Sequence, residues 1–260
     1  MTPEAAERAA TLLDGALRTG DALTALPPDC DPADHEEAYQ VQDAWAAMGG
    51  RGVAGWKVGA TSAAALAMLS TDRPFAGRIL ESSVLESPAS LPGRTGSGVA
   101  VEGELAFVLG SDLTARDRPY DRQDVAVAVA SMHPAIEIVA GRFADPFGVG
   151  LYALIADNGA NAGLVLGAAT PGSEDQDLSS IPVTMTIDGE TAGRGRGGDA
   201  MGHPLESLAW LANHLADRGQ GLTAGQVVTT GSCTGIAPLP PGATALADFG
   251  ELGRVELHHG

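Results

Sequence analysis

Seven short runs of apolar or β-branched residues recur along this chain from residue 53 onward, and they constrain its fold more than any other feature. Each run is bounded by clusters of glycine, proline or aspartate, which is typical of β-strands. The runs are at residues 53–58, 98–109, 135–139, 161–166, 181–187, 226–230 and 255–258. From residue 51 onward the chain is therefore predicted to fold mainly as β-sheet.

The first 50 residues have a helical pattern instead. Apolar residues recur there at helical spacing, proline stands near the first turn, and glycine follows the last one. Two further helices are predicted among the strands. The predicted helices are at about residues 3–20, 34–48, 121–129 and 204–219. We therefore predict an N-terminal helical region at 1–50 and one β-rich domain at 51–260.

One glycine-rich segment, at residues 193–198, has the composition of a phosphate-binding loop. Such a loop must follow a strand and open a helix with a defined spacing, and this segment does not meet that requirement. We predict a mobile surface loop there.

The charge of the chain excludes two classes of partner. The formal net charge is −18, whereas binding to nucleic acid or to an anionic membrane requires basic patches. Apolar residues make up 44% and charged residues 18%, as in a globular protein with a proper core. We predict that neither nucleic acid nor membrane is a partner.

The location of the protein is predicted from its cysteines and its apolar segments. Cys30 and Cys233 are the only cysteines, and two distant thiols do not make a disulfide framework. The N-terminus lacks the pattern of a signal peptide, and no run of about 18 apolar residues occurs. These observations favour the cytoplasm.

Lys57 is the only lysine in the chain, and the other fourteen basic residues are arginines. It lies between glycines and beside Trp56. Arginine is wide, forked and permanently charged, so it cannot replace a lysine that must fit a pocket or release a proton. Lys57 is therefore a candidate catalytic residue. The alternative is a chance survivor of a compositional bias towards arginine.

Two acids, Glu102 and Glu104, lie in an apolar run. Its residues are hydrophobic at odd and at even positions, which predicts a strand covered on both faces. Residues two apart in a strand point to the same side. Two ionised carboxylates about 4 Å apart repel each other by roughly 4 kcal/mol at an effective dielectric constant near 20. Such a pair is stable if it shares a proton, meets a basic side chain or binds a cation.

A third acid, Glu137, is embedded in the apolar run at 135–139. Three carboxylates without a nearby Cys–His spacing are hard oxygen ligands, which suit Mg²⁺ or Mn²⁺ better than structural zinc. A purely structural alternative remains open at this point. In it, Glu102 and Glu104 lie at an exposed strand end and Glu137 pairs with Arg142.

The run at 226–230 leads into a turn rich in glycine, serine and threonine that contains Ser232, Cys233 and Thr234. Backbone N–H groups and hydroxyls in such a turn can hold a carboxylate, although many turns of this composition bind nothing. Cys233 has no assignable base nearby, so we interpret it as a packing residue.

Five motifs in order resemble the 2-keto-4-pentenoate hydratase family, which belongs to the fumarylacetoacetate hydrolase superfamily. The resemblance covers nearly the whole chain. The motifs are Gly55-Trp56-Lys57-Val58-Gly59-Ala60-Thr61-Ser62, Glu102-x-Glu104, Glu137-Ile138-Val139, Ile155-Ala156-Asp157-Asn158 and Thr230-Gly231-Ser232-Cys233-Thr234.

The resemblance implies an α+β fold: a mixed β-roll of the fumarylacetoacetase C-terminal-like type with a small N-terminal helical region, usually in homo-oligomers. It implies that Glu102, Glu104 and Glu137 bind Mg²⁺ or Mn²⁺ and that Lys57 faces the substrate. It also implies that the turn with Ser232 and Thr234 helps to hold the substrate carboxylate. Family substrates are 2-oxo or 2-hydroxydienoic acids of aromatic meta-cleavage pathways.

One departure from the family pattern concerns the step that adds water. Many family hydratases have Pro-Asp-Phe/Tyr-Gly after the lysine motif, and that aspartate is thought to act in acid–base steps. The corresponding stretch here is Arg73-Pro74-Phe75-Ala76-Gly77-Arg78, with an apolar residue in place of the acid.

Three residues are candidates to compensate for the missing acid or to use the space. Arg73 or Arg78 could meet a more anionic substrate, and the alternative is that both are solvated loop charges. Asp157 could substitute as the acid, and the alternative is that it belongs to a structural turn.

The sequence thus predicts a metal-dependent lyase that adds water to, or removes it from, a 2-oxo-enoate. Three alternatives remain. One is decarboxylation of a vinylogous 2-oxo diacid. Another is hydrolysis of an acylpyruvate C–C bond with a base from an N-terminal lid, for which His35-Glu36-Glu37 is a candidate, although a helix start with acidic first-turn residues fits it better. The third is a non-catalytic assembly partner of a decarboxylase.

Overall fold

The computed structural model of the protein describes residues 1–92, 98–171 and 177–260. The helices in these residues are α1 (Pro3–Thr19), α2 (His35–Ala47), α3 (Ala63–Met68), α4 (Arg122–Ala126), α5 (Leu151–Ala156) and α6 (Pro204–Asp217). The strands are β1 (Val53–Gly59), β2 (Phe75–Leu80), β3 (Val84–Glu86), β4 (Ala89–Leu91), β5 (Ala100–Leu109), β6 (Val129–Val139), β7 (Asn161–Leu166), β8 (Thr170–Pro171), β9 (Pro182–Ile187), β10 (Glu190–Arg196), β11 (Val227–Ser232), β12 (Ala237–Pro238), β13 (Thr244–Asp248) and β14 (Arg254–His259). None of the described helices has the length and hydropathy needed to span a membrane.

The two N-terminal helices begin and end where their capping residues stand. The Thr2 side chain accepts a hydrogen bond from the backbone of the first turn of α1, and Gly20 ends that helix in the left-handed conformation. The Asp34 side chain caps α2 in the same way, accepting from Glu37 N. His35, Glu36 and Glu37 thus form the first turn of α2, as the sequence predicts.

The later helices agree less closely with the prediction. The helix α6 begins at Pro204 as predicted and ends at Asp217. The helix α4 is shorter than the predicted 121–129, because β6 already begins at Val129. The short helices α3 and α5 were not predicted, since six residues are too few to show helical periodicity.

The main sheet is mixed and places β5 near its centre. Its strand order is β2-β1-β11-β5-β6-β7-β3, with β12 paired to β5 and β8 paired to β6. The pairs β1–β11 and β3–β7 are parallel, whereas β1–β2, β11–β5, β5–β6 and β6–β7 are antiparallel. Val101, Leu105 and Phe107 of β5 are buried, and so is Ala106 between them. The predicted strand with both faces covered is confirmed.

A second sheet, of order β10-β9-β13-β14-β4, contains the segment that was predicted as a mobile loop. That prediction is wrong, because β10 pairs antiparallel with β9. A Cβ atom at Gly193 would lie 2.3 Å from Thr234 O, and one at Gly195 would lie 2.0 Å from Cys233 O. The glycines of this segment therefore permit close contact with the backbone at 233–234, and they are not a sign of mobility.

A histidine packed between α2 and α6 should make the stability of the protein depend on pH. His214 stacks on Trp210 and packs on Tyr39, each with 4.9 Å between ring centroids, and its buried Nε2 has no partner in the described residues. Burial, then the Arg218 charge, lowers the pKa of His214 from 6.5 to about 4. As the pH falls, His214 takes up a proton in the unfolded chain before it does so in the folded protein. The contribution of neutral His214 to the free energy of unfolding is therefore present above pH 6.5 and is lost as the pH falls towards 4. The shift from 6.5 to about 4 corresponds to about 3 kcal/mol.

We expect His214→Phe to remove this pH dependence while keeping the ring stack. The difference in unfolding free energy between the two proteins should change by about 3 kcal/mol between pH 7 and pH 4. Urea unfolding of both proteins at the two pH values measures it. Other titrating groups cancel in the difference, so equal differences at both pH values would contradict the assignment.

Candidate active site

Three glutamates meet where neighbouring strands of the main sheet run side by side. Glu102 and Glu104 lie two apart on β5, and Glu137 of β6 stands directly opposite Glu102 in the antiparallel ladder. One carboxylate oxygen from each lies within 4.8 Å of the others. Like charges directly opposite each other destabilise a sheet. The arrangement therefore needs protons or cations to balance it.

Burial and repulsion by neighbouring carboxylates shift the pKa values of the two acids on β5, Glu102 and Glu104. Burial, followed by the Glu137 charge, raises the pKa of Glu102 to about 7, and Lys57 opposes this rise. Burial, together with the charges of Glu137 and Glu102, raises the pKa of Glu104 well above its usual range. Without a cation, the cluster holds protons at neutral pH that a free glutamate would have lost.

Lys57 reaches the same cluster from β1. It is only 4% exposed, and its Nζ lies 3.3 Å from Glu137 Oε1. Burial lowers the pKa of Lys57, but the charges of Glu137, Glu102 and Glu104 outweigh it and raise that pKa overall. The lysine is therefore a buried ammonium paired with the acids.

The surroundings of Lys57 leave little free space. Its Nζ lies 5.2 Å from the centroid of the Phe75 ring, and a Cβ atom at Gly159 would lie 2.8 Å from Lys57 Cε. The family position that often carries an acid is thus filled here by a buried ring against the lysine. A wider cationic head would have to displace the ring or the backbone at Gly159.

The structural alternative for Glu137 is wrong. Arg142 lies 3.1 Å from Asp157 Oδ1 and donates to the backbone oxygens of Asp157 and Asn161. The partner of Glu137 is Lys57 instead. Glu104 is also not at an exposed strand end, because it is 1% exposed.

The acid cluster fits a hard divalent cation. Glu137 Oε1 accepts from Asn161 Nδ2 at 2.9 Å, whereas the buried Oε2 has no hydrogen-bond partner among the described residues. Glu104 Oε2 accepts from Gly231 N at 2.8 Å. An unpartnered buried carboxylate oxygen is costly, and it points to a missing positive group. The donors are all carboxylate oxygens, which Mg²⁺ and Mn²⁺ prefer.

A cavity of about 460 Å³ opens onto this cluster. Lys57, Glu102 and Glu104 line it, and so do the exposed side chains of Met68 and Ile236. Its other lining residues are residues 58–62, Ala64, Ala65, Arg194, Asp199 and residues 232–235. This volume suits a small organic molecule.

The predicted carboxylate-binding turn lines the cavity. Thr234 Oγ1 accepts from Gly103 N at 3.0 Å, which fastens the turn to β5. The buried Ser232 hydroxyl makes no hydrogen bond of regular geometry among the described residues, although it lies close enough to Glu102 to oppose the rise in the pKa of that acid. Ser232 therefore stands at the cavity wall beside Glu102. Cys233, between them, is buried, and burial raises its pKa, as expected of a packing cysteine.

The prediction that Arg78 binds substrate needs correction. In the β1–β2 ladder Arg78 pairs with Trp56 while Lys57 pairs with Gly77, so Arg78 lies on the opposite face of the sheet from Lys57. Its guanidinium pairs with Asp43 and lies 4.7 Å from the Trp56 ring. It does not line the cavity.

The predicted acid–base role of Asp157 has no geometric support either. Its carboxylate accepts from Arg142 N at 2.8 Å, and it is absent from the cavity lining. Burial raises the pKa of Asp157 to about 6, against the opposing effect of Arg142. Its observed role is to hold Arg142 beneath the turn that precedes β7. Asp157 therefore belongs to a structural turn, as the alternative to a catalytic acid predicts.

Three residues at the site were not predicted from the sequence. Asn161, which donates to Glu137, was predicted only as the first residue of a strand. Arg194, in the segment predicted as a loop, and Asp199, which directly follows that segment, both line the cavity. Asn161 could have been recognised from the sequence, because it is a polar amide at the start of an apolar run.

Comparison with known proteins places the chain among related sequences. The 'Fumarylacetoacetate (FAA) hydrolase C-terminal' family matches residues 65–259. A 2-keto-4-pentenoate hydratase of Burkholderia vietnamiensis (strain G4) is 32% identical, over 95% of this chain and 94% of that protein. A 2-oxo-hept-4-ene-1,7-dioate hydratase of Escherichia coli is also 32% identical, over 94% of this chain and 93% of that protein.

Among solved structures, the 4-oxalocrotonate decarboxylase from Pseudomonas putida G7, complexed with magnesium and adipate, has a TM-score of 0.91 and 25% identity. The match covers 100% of this chain and 98% of that one. The predicted fold class is confirmed.

Proposed function

The chain belongs to the fumarylacetoacetate hydrolase family, and from that premise we propose that it is a metal-dependent lyase of the hydratase type. Its substrate is a 2-oxo or 2-hydroxydienoic acid, to which it adds water or from which it removes it. The observation that carries the proposal is the meeting of three carboxylates, two of them buried and one half-buried, with one buried lysine beside a cavity of about 460 Å³. Hydratase relatives that match over more than nine-tenths of the chain support it.

Glu102, Glu104 and Glu137 would hold Mg²⁺ or Mn²⁺. A hard dication bound there acts as a Lewis acid for the oxygens of a 2-oxo acid. The charges of the site are then balanced: three carboxylates give −3, the ion contributes +2, and Lys57 contributes +1. This local neutrality explains how a chain with a net charge of −18 could accept an organic anion.

The side chains around the cavity have separate roles in this proposal. Lys57 relays a proton to or from the substrate, from a fixed position beside Glu137. The Ser232 hydroxyl and the backbone of the turn that contains Thr234 hold the substrate carboxylate. Met68 and Ile236, which line the cavity, shield the site from bulk water, which strengthens the electrostatic interactions inside.

A second candidate, decarboxylation of a vinylogous 2-oxo diacid, is favoured by one observation. Phe75 fills the position where many family hydratases have an acid, and its ring packs against Lys57. Decarboxylation needs no activated water, so the loss of that acid matters less to it. The decarboxylase with a TM-score of 0.91 supports this candidate too.

The remaining alternatives receive less support. Acylpyruvate hydrolysis needs a base near the substrate, and His35 lies at the start of α2 and does not line the cavity. The complete set of lysine and three acids argues against a non-catalytic assembly partner. As further expectations from the family resemblance, we propose a cytoplasmic homo-oligomer, and light scattering on the purified protein tests the assembly.

The deciding experiment incubates the protein with 2-hydroxypenta-2,4-dienoate and Mg²⁺ or Mn²⁺ and follows the dienol absorbance. Formation of a 4-hydroxy-2-oxo acid supports the hydratase. Release of carbon dioxide from an unsaturated 2-oxo diacid supports the decarboxylase. If Mn²⁺ binds but none of these acids or an acylpyruvate is turned over, the lyase proposal is wrong.

A further inference from the structure

One amide side chain outside the acid cluster contacts it directly. Asn161 is 4% exposed, and its Nδ2 donates to Glu137 Oε1 at 2.9 Å. The same oxygen lies 3.3 Å from Lys57 Nζ. Glu137 Oε2 has no hydrogen-bond partner within the described ranges. The carboxylate is therefore held asymmetrically: one oxygen is used by protein donors, and the other is left for a different group.

The turn that carries Asn161 is held in an unusual backbone conformation. Asn158, Gly159 and Ala160 have φ angles of 59°, 63° and 57°, a region that residues other than glycine rarely adopt. Such conformations persist only where the surrounding structure enforces them. Here the Asn158 side chain exchanges hydrogen bonds with the backbone of Arg78.

Further contacts hold the two ends of this turn. The Arg142 guanidinium donates to the backbone oxygens of Asp157 and Asn161, at 2.8 and 3.3 Å. Ala140 N donates to Ala160 O at 2.9 Å. One rigid turn thus presents Gly159 to the lysine and Asn161 to the glutamate. Lys57 and Asn161 are the two side chains that contact Glu137 Oε1.

We propose that Asn161 is a positioning residue for the cation. By occupying Glu137 Oε1, it keeps the carboxylate from turning both oxygens towards Lys57 and leaves Oε2 free for the ion. The inference rests on the proposed metal site and adds a determinant of its affinity. Loss of a hydrogen-bond partner behind a ligating carboxylate typically reduces metal affinity or activity 10- to 100-fold.

The test measures Mn²⁺ binding alone, without substrate. Full-length protein is stripped with a chelator and titrated with Mn²⁺, and free Mn²⁺ is followed by electron paramagnetic resonance. Asn161→Leu removes the donor and keeps the volume, and Asn161→Ala is the second variant if the first does not fold. We expect Kd for Mn²⁺ to rise about 10- to 100-fold in either variant.

Gln42→Leu is the matched control. Gln42 is another fully buried amide, and its Nε2 donates to Ala76 O and Ile155 O without contacting the acids. Its loss lowers the melting temperature of the metal-free protein but should leave Kd for Mn²⁺ within about threefold of wild type. General loosening of the fold would weaken Mn²⁺ binding in the control as well.

Two results would overturn the positioning role while the metal site stands. One is an Asn161 variant whose Kd stays within about threefold of wild type, and the other is an equal loss in Gln42→Leu. A wild-type protein that binds no Mn²⁺ would overturn the metal site and this inference together. The outcomes therefore separate the two proposals.

Discussion

Glu104→Gln is expected to abolish the metal-dependent reaction and to leave the protein folded. Glu104 is 1% exposed, and burial and two neighbouring carboxylates raise its pKa well above the usual range. The amide has the same shape and removes one ligand charge. If the transition state loses about 4 kcal/mol of electrostatic stabilisation, kcat/KM falls by about 1,000-fold.

Although Glu104→Gln loses activity, its thermal stability without metal should not fall. In the metal-free site the buried carboxyl group of Glu104 must either take up a proton or stay ionised beside the other carboxylates, so a neutral amide at 104 relieves the cluster. We expect a melting temperature at or above that of wild type in chelator-treated protein, together with the loss of the Mn²⁺-induced rise in melting temperature. Calorimetry with and without Mn²⁺ measures both effects.

The control for this variant is Glu256→Gln. Glu256 is also a strand glutamate, in β14, but its side chain is exposed. Its replacement should change neither turnover nor Mn²⁺ binding. Turnover of Glu104→Gln at the wild-type rate would remove Glu104 from the set of ligands and would leave the cluster without a chemical role.

Lys57→Arg is expected to lose most activity although it keeps the positive charge. The guanidinium would have to enter a space bounded by Glu137, the Phe75 ring and the backbone at Gly159. It would also be unable to release a proton at any pH that the protein tolerates. Loss of a positioned proton donor typically lowers kcat by about 100- to 10,000-fold.

A companion variant, Lys57→Met, separates charge from fit. It keeps an unbranched four-atom stem and removes the ammonium, so it should be as inactive as Lys57→Arg. Steady-state kinetics with saturating Mn²⁺ and circular dichroism of each variant provide the measurements. If Lys57→Arg kept more than about a tenth of the wild-type kcat, the lysine would be a survivor of the compositional bias.

Several features of the site could be predicted because they depend on local geometry. Side chains alternate along a strand, so the spacing of Glu102 and Glu104 put both on one side of β5 before any tertiary contact was known. The strand β5 has apolar residues at odd and at even positions, and this pattern predicted that both of its faces are buried. Lys57 stood out because composition isolated it among arginines.

Other features depended on which strands pair, and a single sequence does not specify that. The Glu102–Glu137 pair exists because β5 and β6 are neighbours in one particular register. Arg78 was misplaced because its face is decided by its pairing with Trp56 across β1 and β2. A shift of one residue in that register would have turned it towards the lysine.

The segment that contains Gly193 and Gly195 shows the same limit. Glycine in a sequence is compatible with a flexible loop and with a strand under close contact. Only the approach of Cys233 O and Thr234 O decided between them. Asp157 is a similar case, since its acid could serve catalysis or structure until Arg142 was found against it.

By itself, the sequence determined the chemistry available to this protein: a lone lysine, three acids in apolar strands, a hydroxyl-rich turn and the order of four helices and seven strands. Short-range rules of capping, periodicity and charge burial suffice for these. Only the tertiary structure decided which groups meet. It brought Glu137 to Lys57 and Asn161, gave Arg142 to Asp157, and turned Arg78 away. Contacts between distant segments are set by the register and packing of whole strands, which no local pattern encodes.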